Sequence, residues 1–132
     1  MTMTTATKIL TTTEIATRFN ELAQQEKWFE IQEEFFADNV RSIDPAHSPY
    51  FGYAEGKALV RKKGEDFVKR IETVHRAHTT PPLVTGNHFA VGRSKDLTVR
   101  NEEGSESHRI QIDEIMLYEV RDGKIILEQF FY

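Results

Sequence analysis

The sequence predicts an α+β domain in which helices cover one face of a curved antiparallel sheet. Three observations carry that prediction. Helical periodicity fills the first half, strand periodicity fills the second, and an Asp-Gly pair joins two long extended runs near the end.

Thr11 and Glu14 have the spacing of a capping box, and Ile15, Phe19, Leu22 and Ala23 then recur on one helical face. A second helix is expected from Lys27 to around Ala37-Asp38-Asn39, with Trp28, Ile31, Phe35 and Phe36 as its apolar residues. Val40 to Ile43 reads as a short strand, and alternation puts Val40, Ser42 and Asp44 on one face. An aromatic loop from Pro45 to Glu55 leads to a third helix over Gly56–Ile71, with Gly64 as a weak point inside it. "TVHRAHT" stops at Pro81-Pro82, which suits an edge strand. "LVTGNHFAVGR" and "KDLTVRN" form an extended segment with an expected break at Arg93-Ser94, and "NEEGSES" is a polar turn. "HRIQIDEIMLYEV" and "KIILEQFFY" then make a hairpin across Arg121-Asp122-Gly123.

At 132 residues the chain is expected to form one domain that buries roughly two-thirds of its unfolded surface. A formal charge of −4 argues against nucleic acid as a partner, and no apolar run is long enough for a membrane span. The basic cluster "RKKGEDFVKR" is interleaved with acids and reads as a solvated helix face. The first eleven residues, Thr-rich and without the apolar segment of a signal peptide, read as a flexible arm. The absence of cysteine excludes disulfide and thiolate chemistry and fits a cytoplasmic location.

Two carboxylates stand out. Asp44 closes the first strand in "SIDPAHSPYFG", either as a turn residue beside Pro45 or as a base aimed into an apolar pocket. Glu114 interrupts a strand face otherwise made of Ile110, Ile112, Met116 and Tyr118. A carboxylate there must be paired, hydrogen-bonded, protonated or at a wet edge. An ion pair with Arg93 and a pocket role both satisfy that condition. His47 is either a pocket-rim residue or a loop histidine, and Tyr50, Phe51 and Tyr53 form either a lid or a packed loop. His75 and His78 face opposite sides of a strand, and the other histidines are scattered, so no metal or cofactor is expected.

The order helix, helix, "FFADNVRSIDP", glycine, helix and a hairpin ending "DGKIILEQFFY" resembles the nuclear transport factor 2-like superfamily. Within it the chain is similar to the SnoaL-like polyketide cyclases and ketosteroid isomerases, over Thr12 to Tyr132. The resemblance implies a cystatin-like cone, a strongly curved antiparallel sheet wrapped around N-terminal helices with an internal pocket. Residues 12–132 would be the domain and residues 1–11 the arm. It also implies catalytic roles for Asp44, at the place of the isomerase base, and Glu114, at the place of its protonated donor. Phe19 falls where the isomerase has its oxyanion tyrosine, and the last strand lacks the Trp-Asp carboxylate of the cyclases. Both departures argue against steroid isomerisation itself and against the cyclase mechanism in its known form.

The function expected is that of a small-molecule pocket protein, an isomerase or cyclase acting by proton transfer on an apolar carbonyl compound. Phe19, His47, Tyr50, Tyr53, Met116 and Tyr118 would contact the ligand. The alternative is a non-catalytic ligand-binding or dimerisation module on the same fold. Ile115 and Leu117 on the second sheet face, beside a strand ending in Gln129-Phe130-Phe131-Tyr132, predict a homodimer.

Overall fold

The computed structural model describes residues 8–101 and 106–132. Helix α1 (Thr12–Ala23) starts at the predicted capping box, with both reciprocal hydrogen bonds between Thr11 and Glu14 formed. Such a cap is worth about 1 kcal/mol. Its buried face is Ile15, Ala16, Phe19, Leu22 and Ala23. Of the expected arm, residues 1–7 lie outside the described residues. Lys8 pairs with Glu14 at 2.6 Å, and Leu10 packs on the core.

Helix α2 (Trp28–Phe35) passes directly into strand β1 (Phe36–Ile43), earlier than the expected strand start at Val40. The reason lies in two consecutive phenylalanines. Phe35 and Phe36 are both buried, one from the helix and one from the extended residue that caps it. Along β1, Val40 and Ser42 face inward as alternation requires. A short strand β2 (Ala54–Glu55) pairs with β1, and Gly56, at φ +93°, opens helix α3 (Lys57–Arg70). Gly64 has a packing reason. A Cβ there would stand 3.1 Å from the Phe29 ring, so the glycine lets α2 and α3 approach closely.

Strands β3 (Ile71–Thr79), β4 (Leu83–Thr85), β5 (His88–Arg100), β6 (Ser107–Arg121) and β7 (Lys124–Phe131) complete the sheet. Its order is β2-β1-β7-β6-β5-β3, with β4 also pairing β5. The strand before Pro81-Pro82 is indeed at an edge. All pairs are antiparallel except β1 with β7, which run parallel because α3 and the intervening strands separate them in the chain. The expected break at Arg93-Ser94 does not occur, since β5 pairs with β6 from His88 to Arg100. The turn lies earlier, at Gly86-Asn87, where Gly86 has φ +56°. Residues 102–105 of the polar turn lie outside the described residues. At the last hairpin Asp122 and Gly123 both have positive φ, the geometry that matches strand twist.

The curved sheet and the helices enclose two apolar clusters. The larger gathers Phe19, Ile31, Phe35, Val40, Phe89 and Tyr118 among others, and the smaller joins Phe67, Leu97 and Val99. Among the described residues, no helix is long and apolar enough to cross a membrane.

Candidate functional site

Between α2, α3 and the inner sheet face lies a cavity of about 340 Å³. Its walls are largely Trp28, Phe29, Ile31, Phe36, Phe51, Val60, Phe67, Met116 and Phe130. Into these walls are set Asp44, Lys63, Arg93, Lys95, Glu114 and Glu128. Asp44 pairs with Lys63, Glu114 with Lys95 and Arg93 with Glu26, while Glu128 is hydrogen-bonded to Ser42.

Asp44 follows β1, with a side chain only 2% exposed. One carboxylate oxygen faces the Lys63 ammonium and the other lies 2.9 Å from the Tyr132 hydroxyl. That hydroxyl also lies 2.6 Å from Ser48 Oγ. Burial, together with the Asp44 charge, pushes the Tyr132 phenol up, while Ser48 opposes this. The phenol therefore keeps its proton and donates it to Asp44. Ser48 in turn accepts the Tyr50 and Phe51 backbone N–H groups, which ties the aromatic loop to Asp44.

Lys63 was expected on a solvated face. Arg61, Lys62, Lys69 and Arg70 answer better to that description, but Lys63 lies between Val60 and Phe67 on the buried stripe of α3. Its ammonium donates to Ser42 Oγ at 2.8 Å, and Ser42 donates to Glu128 Oε1 at 2.7 Å. A chain of polar groups thus runs Asp44, Lys63, Ser42, Glu128. Burial raises the Glu128 carboxyl to about 7, against the pull of Ser42 and Lys63. Glu128 is paired across the ladder with Tyr118, whose phenol is pushed well up by burial and then by the Glu128 and Glu114 charges.

Glu114 has a side chain 3% exposed, and its partner is Lys95 rather than Arg93. The Oε1 to Nζ distance is 3.4 Å. Burial pushes the Glu114 carboxyl up and the Lys95 amine down, each against the attraction of the other. Arg93, although opposite Glu114 in register, forks onto Glu26 at 3.0 and 3.2 Å and lies over Trp28.

Of the remaining residues singled out in the sequence, Met116 and Tyr118 line the cavity. Phe19 does not. It is fully buried behind the wall, edge-on to Trp28 and Phe89 and tilted against Tyr118. His47 is exposed, with its ring 6.1 Å from that of Tyr132. Tyr50 packs on Phe67 and His108, and Tyr53 is exposed with its hydroxyl on Glu55. From that loop it is Phe51 that reaches the cavity. Among the described residues, no group of three or more His, Asp or Glu side chains is arranged to hold a metal ion.

This fold has relatives. The model of the SnoaL-like domain matches residues 10–132. The chain belongs to the SnoaL-like family. A crystal structure from Mesorhizobium loti, named as a candidate SnoaL-like polyketide cyclase, is 32% identical with a TM-score of 0.82, covering 93% of this chain and 100% of its own. A similarly named protein from a Jannaschia species is 15% identical, with a TM-score of 0.69 over 98% of this chain and 90% of its own. A protein with a cystatin-like fold from Xanthomonas campestris is 16% identical, with a TM-score of 0.68 over 92% and 90%. The last two speak for the fold alone. Among curated proteins, none matches the chain.

Proposed function

We propose that this SnoaL-like protein moves a proton on an apolar carbonyl compound bound in the cavity, without a cofactor. The observation that supports the reading most is that Asp44 and Glu114 face one apolar cavity. Asp44 is the base. Its carboxylate, in contact with the Lys63 ammonium, accepts a proton from the carbon next to a carbonyl. As Asp44 becomes neutral, the Lys63 charge is released toward the electron density left on the substrate. Glu114, pushed toward its protonated form by burial, donates to the carbonyl oxygen.

A second reading, a ligand-binding module without chemistry, draws support from that same ion pair, because Lys63 and Tyr132 occupy both oxygens of Asp44. Solvent-deuterium exchange of a cyclic ketone, followed by NMR, separates the two. Asp44→Asn lowers exchange by about 10²–10⁴-fold on the catalytic reading, with ligand affinity held within about tenfold. Wild-type protein that binds the ketone and exchanges no faster than buffer supports the module.

The homodimer belongs to this reading as well. Ile115 and Phe131 are neighbours across the β6–β7 ladder on the outer face, 55% and 47% exposed. Two copies pairing there would cover them. Sedimentation is expected to give a dimer that Ile115→Glu dissociates, and a wild-type monomer at micromolar concentration refutes the pairing.

A further inference from the structure

We propose that Lys95 is an amine nucleophile that condenses with an aldehyde or ketone in the cavity to form an imine, with Glu114 carrying the protons. This goes beyond proton abstraction by Asp44 and does not depend on it.

The argument begins with the difference between the two cavity lysines. Lys63 faces Asp44 and donates to Ser42 at 2.8 Å, so its charge is held by close partners. Both nitrogens lie over aromatic rings, but among the described residues the polar partner of Lys95 is Glu114 alone, at 3.4 Å, with the Phe51 and Phe67 rings at 5.8 and 5.5 Å. Its side chain is as buried as that of Lys63, with fewer hydrogen-bond partners among the described residues. Desolvation weakens an ammonium, which is how buried lysines become nucleophiles at neutral pH. Three charged groups act on Lys95. Glu114 on β6 and Asp44 after β1 favour the ammonium, Arg93 on β5 opposes it, and burial outweighs them, pushing the amine down. Glu114 is pushed up by the same burial. Both directions favour passing the proton from nitrogen to carboxylate. That transfer leaves a lone pair with a carboxylic acid beside it.

Imine formation needs those two groups. The Lys95 nitrogen attacks the carbonyl carbon, the π electrons move to oxygen, and that oxygen takes the Glu114 proton. The Glu114 carboxylate then removes a proton from the nitrogen, giving a carbinolamine. It returns that proton to the hydroxyl, which leaves as water while the nitrogen lone pair forms the C=N bond. The nitrogen is then a protonated imine, whose N–H proton returns to the Glu114 carboxylate. The balance is amine plus carbonyl gives imine plus water, with the acid regenerated and no oxidant or reductant. Phe51, Phe67, Met116 and Phe130 around about 340 Å³ suit a small aromatic or cyclic carbonyl compound.

Benzaldehyde with sodium borohydride tests this in the 132-residue chain, with peptide mass spectrometry locating the benzyl groups on lysine. Lys95 is expected to be labelled about tenfold or more faster than exposed lysines such as Lys62 and Lys69, because only a desolvated amine is free at neutral pH. Lys95→Arg, which preserves a cation against Glu114, is expected to abolish the fast label, and Glu114→Gln to slow it while leaving the lysine in place. Asp44→Asn, assayed below its melting temperature, is expected to keep the fast label at Lys95, no slower than wild type because Asp44 favours the ammonium, which separates this proposal from the proton-abstraction reading. Labelling that follows exposure, with Lys95 among the slowest sites, overturns the proposal, and so does fast labelling at Lys63 instead.

Discussion

Two carboxylate–lysine pairs face the same cavity, and they are not alike. Asp44 and Lys63 are in close contact, and each has further hydroxyl partners, Tyr132 on one and Ser42 on the other. Glu114 and Lys95 stand 3.4 Å apart beside aromatic rings, and among the described residues no hydroxyl bonds to either. The same two kinds of charge therefore have different physics. Extra hydrogen bonds offset part of the desolvation cost of the first pair, while burial pushes both members of the second toward neutrality. The lesson is that burial alone does not set the protonation of a pocket carboxylate. What its partner has left to bond with does.

The largest effect should come from breaking the tight pair. From the sequence alone, Asp44→Asn is expected to hold or slightly raise stability if Asp44 is a base in the pocket, and to change almost nothing if Asp44 only caps the Pro45 turn. Lys63 changes that expectation, because the substitution leaves a buried ammonium facing an amide. Removing one partner of a buried pair costs about 3–5 kcal/mol. Thermal melts of Asp44→Asn should fall by about 10 °C for a chain of this size. Asp44→Asn with Lys63→Met should recover most of that loss, because both charges then leave together. A double variant no more stable than the single one would show that the two side chains do not act as a pair.

Glu128 belongs to the tight network through Ser42, and it provides a pH test of the comparison. Its carboxyl ordinarily titrates at 4.5 and is raised to about 7 here. The folded chain therefore holds this proton more tightly than the unfolded chain. Its contribution to stability is fully present below pH 4.5, is lost as pH rises through 7, and is flat above. The span is worth about 3 kcal/mol. Glu128→Gln mimics the protonated acid and keeps an acceptor for Ser42. Urea midpoints should therefore match wild type near pH 4.5, with the variant more stable by about 2–3 kcal/mol at pH 8. Parallel pH profiles for the two proteins would mean that Glu128 is not desolvated as described.

Much of this site was legible in the sequence, and what was not has physical causes. Glu114 announced itself by interrupting an apolar strand face, and Asp44 by ending the alternation of Val40 and Ser42. Lys95 shares a strand face with buried Leu97 and Val99, so alternation could have found it. Lys63 falls three residues after Val60 and four before Phe67, on the apolar stripe of α3, but the charge of its neighbours hid it. Glu128 was concealed by a bulge. Across the β6–β7 ladder Val120 pairs Ile125 while Glu119 pairs Leu127, so Ile126 is an extra residue and the inward parity changes after it. Strict alternation from Ile125 points Leu127 and Gln129 inward and Glu128 out. Tyr132, beyond the last strand, gives no periodic signal at all. The helices and the long hairpin were readable because caps, turn chemistry and period are local. Which charged side chains meet is a property of the closed sheet.

The smallest effect should come from the loose pair, and it is the one that most sharpens the contrast. Glu114→Gln removes a carboxylate that burial already pushes toward its neutral form, and Lys95, pushed the other way, can release its proton once that partner is gone. Little ion-pair energy is present to lose, and the desolvation of a charge is relieved. The cost should be below about 1 kcal/mol, against about 3 or more for Asp44→Asn. Carbon-13 NMR of the labelled Glu114 carboxyl should show it titrating above the ordinary range for glutamate, and a salt increase should leave its midpoint unmoved because the pair is shielded from solvent. If Glu114→Gln proves as costly as Asp44→Asn, or if the carboxyl titrates like a free glutamate, both pairs are ionised alike. Glu114 then has no proton to donate, and Asp44 must do its work without that partner.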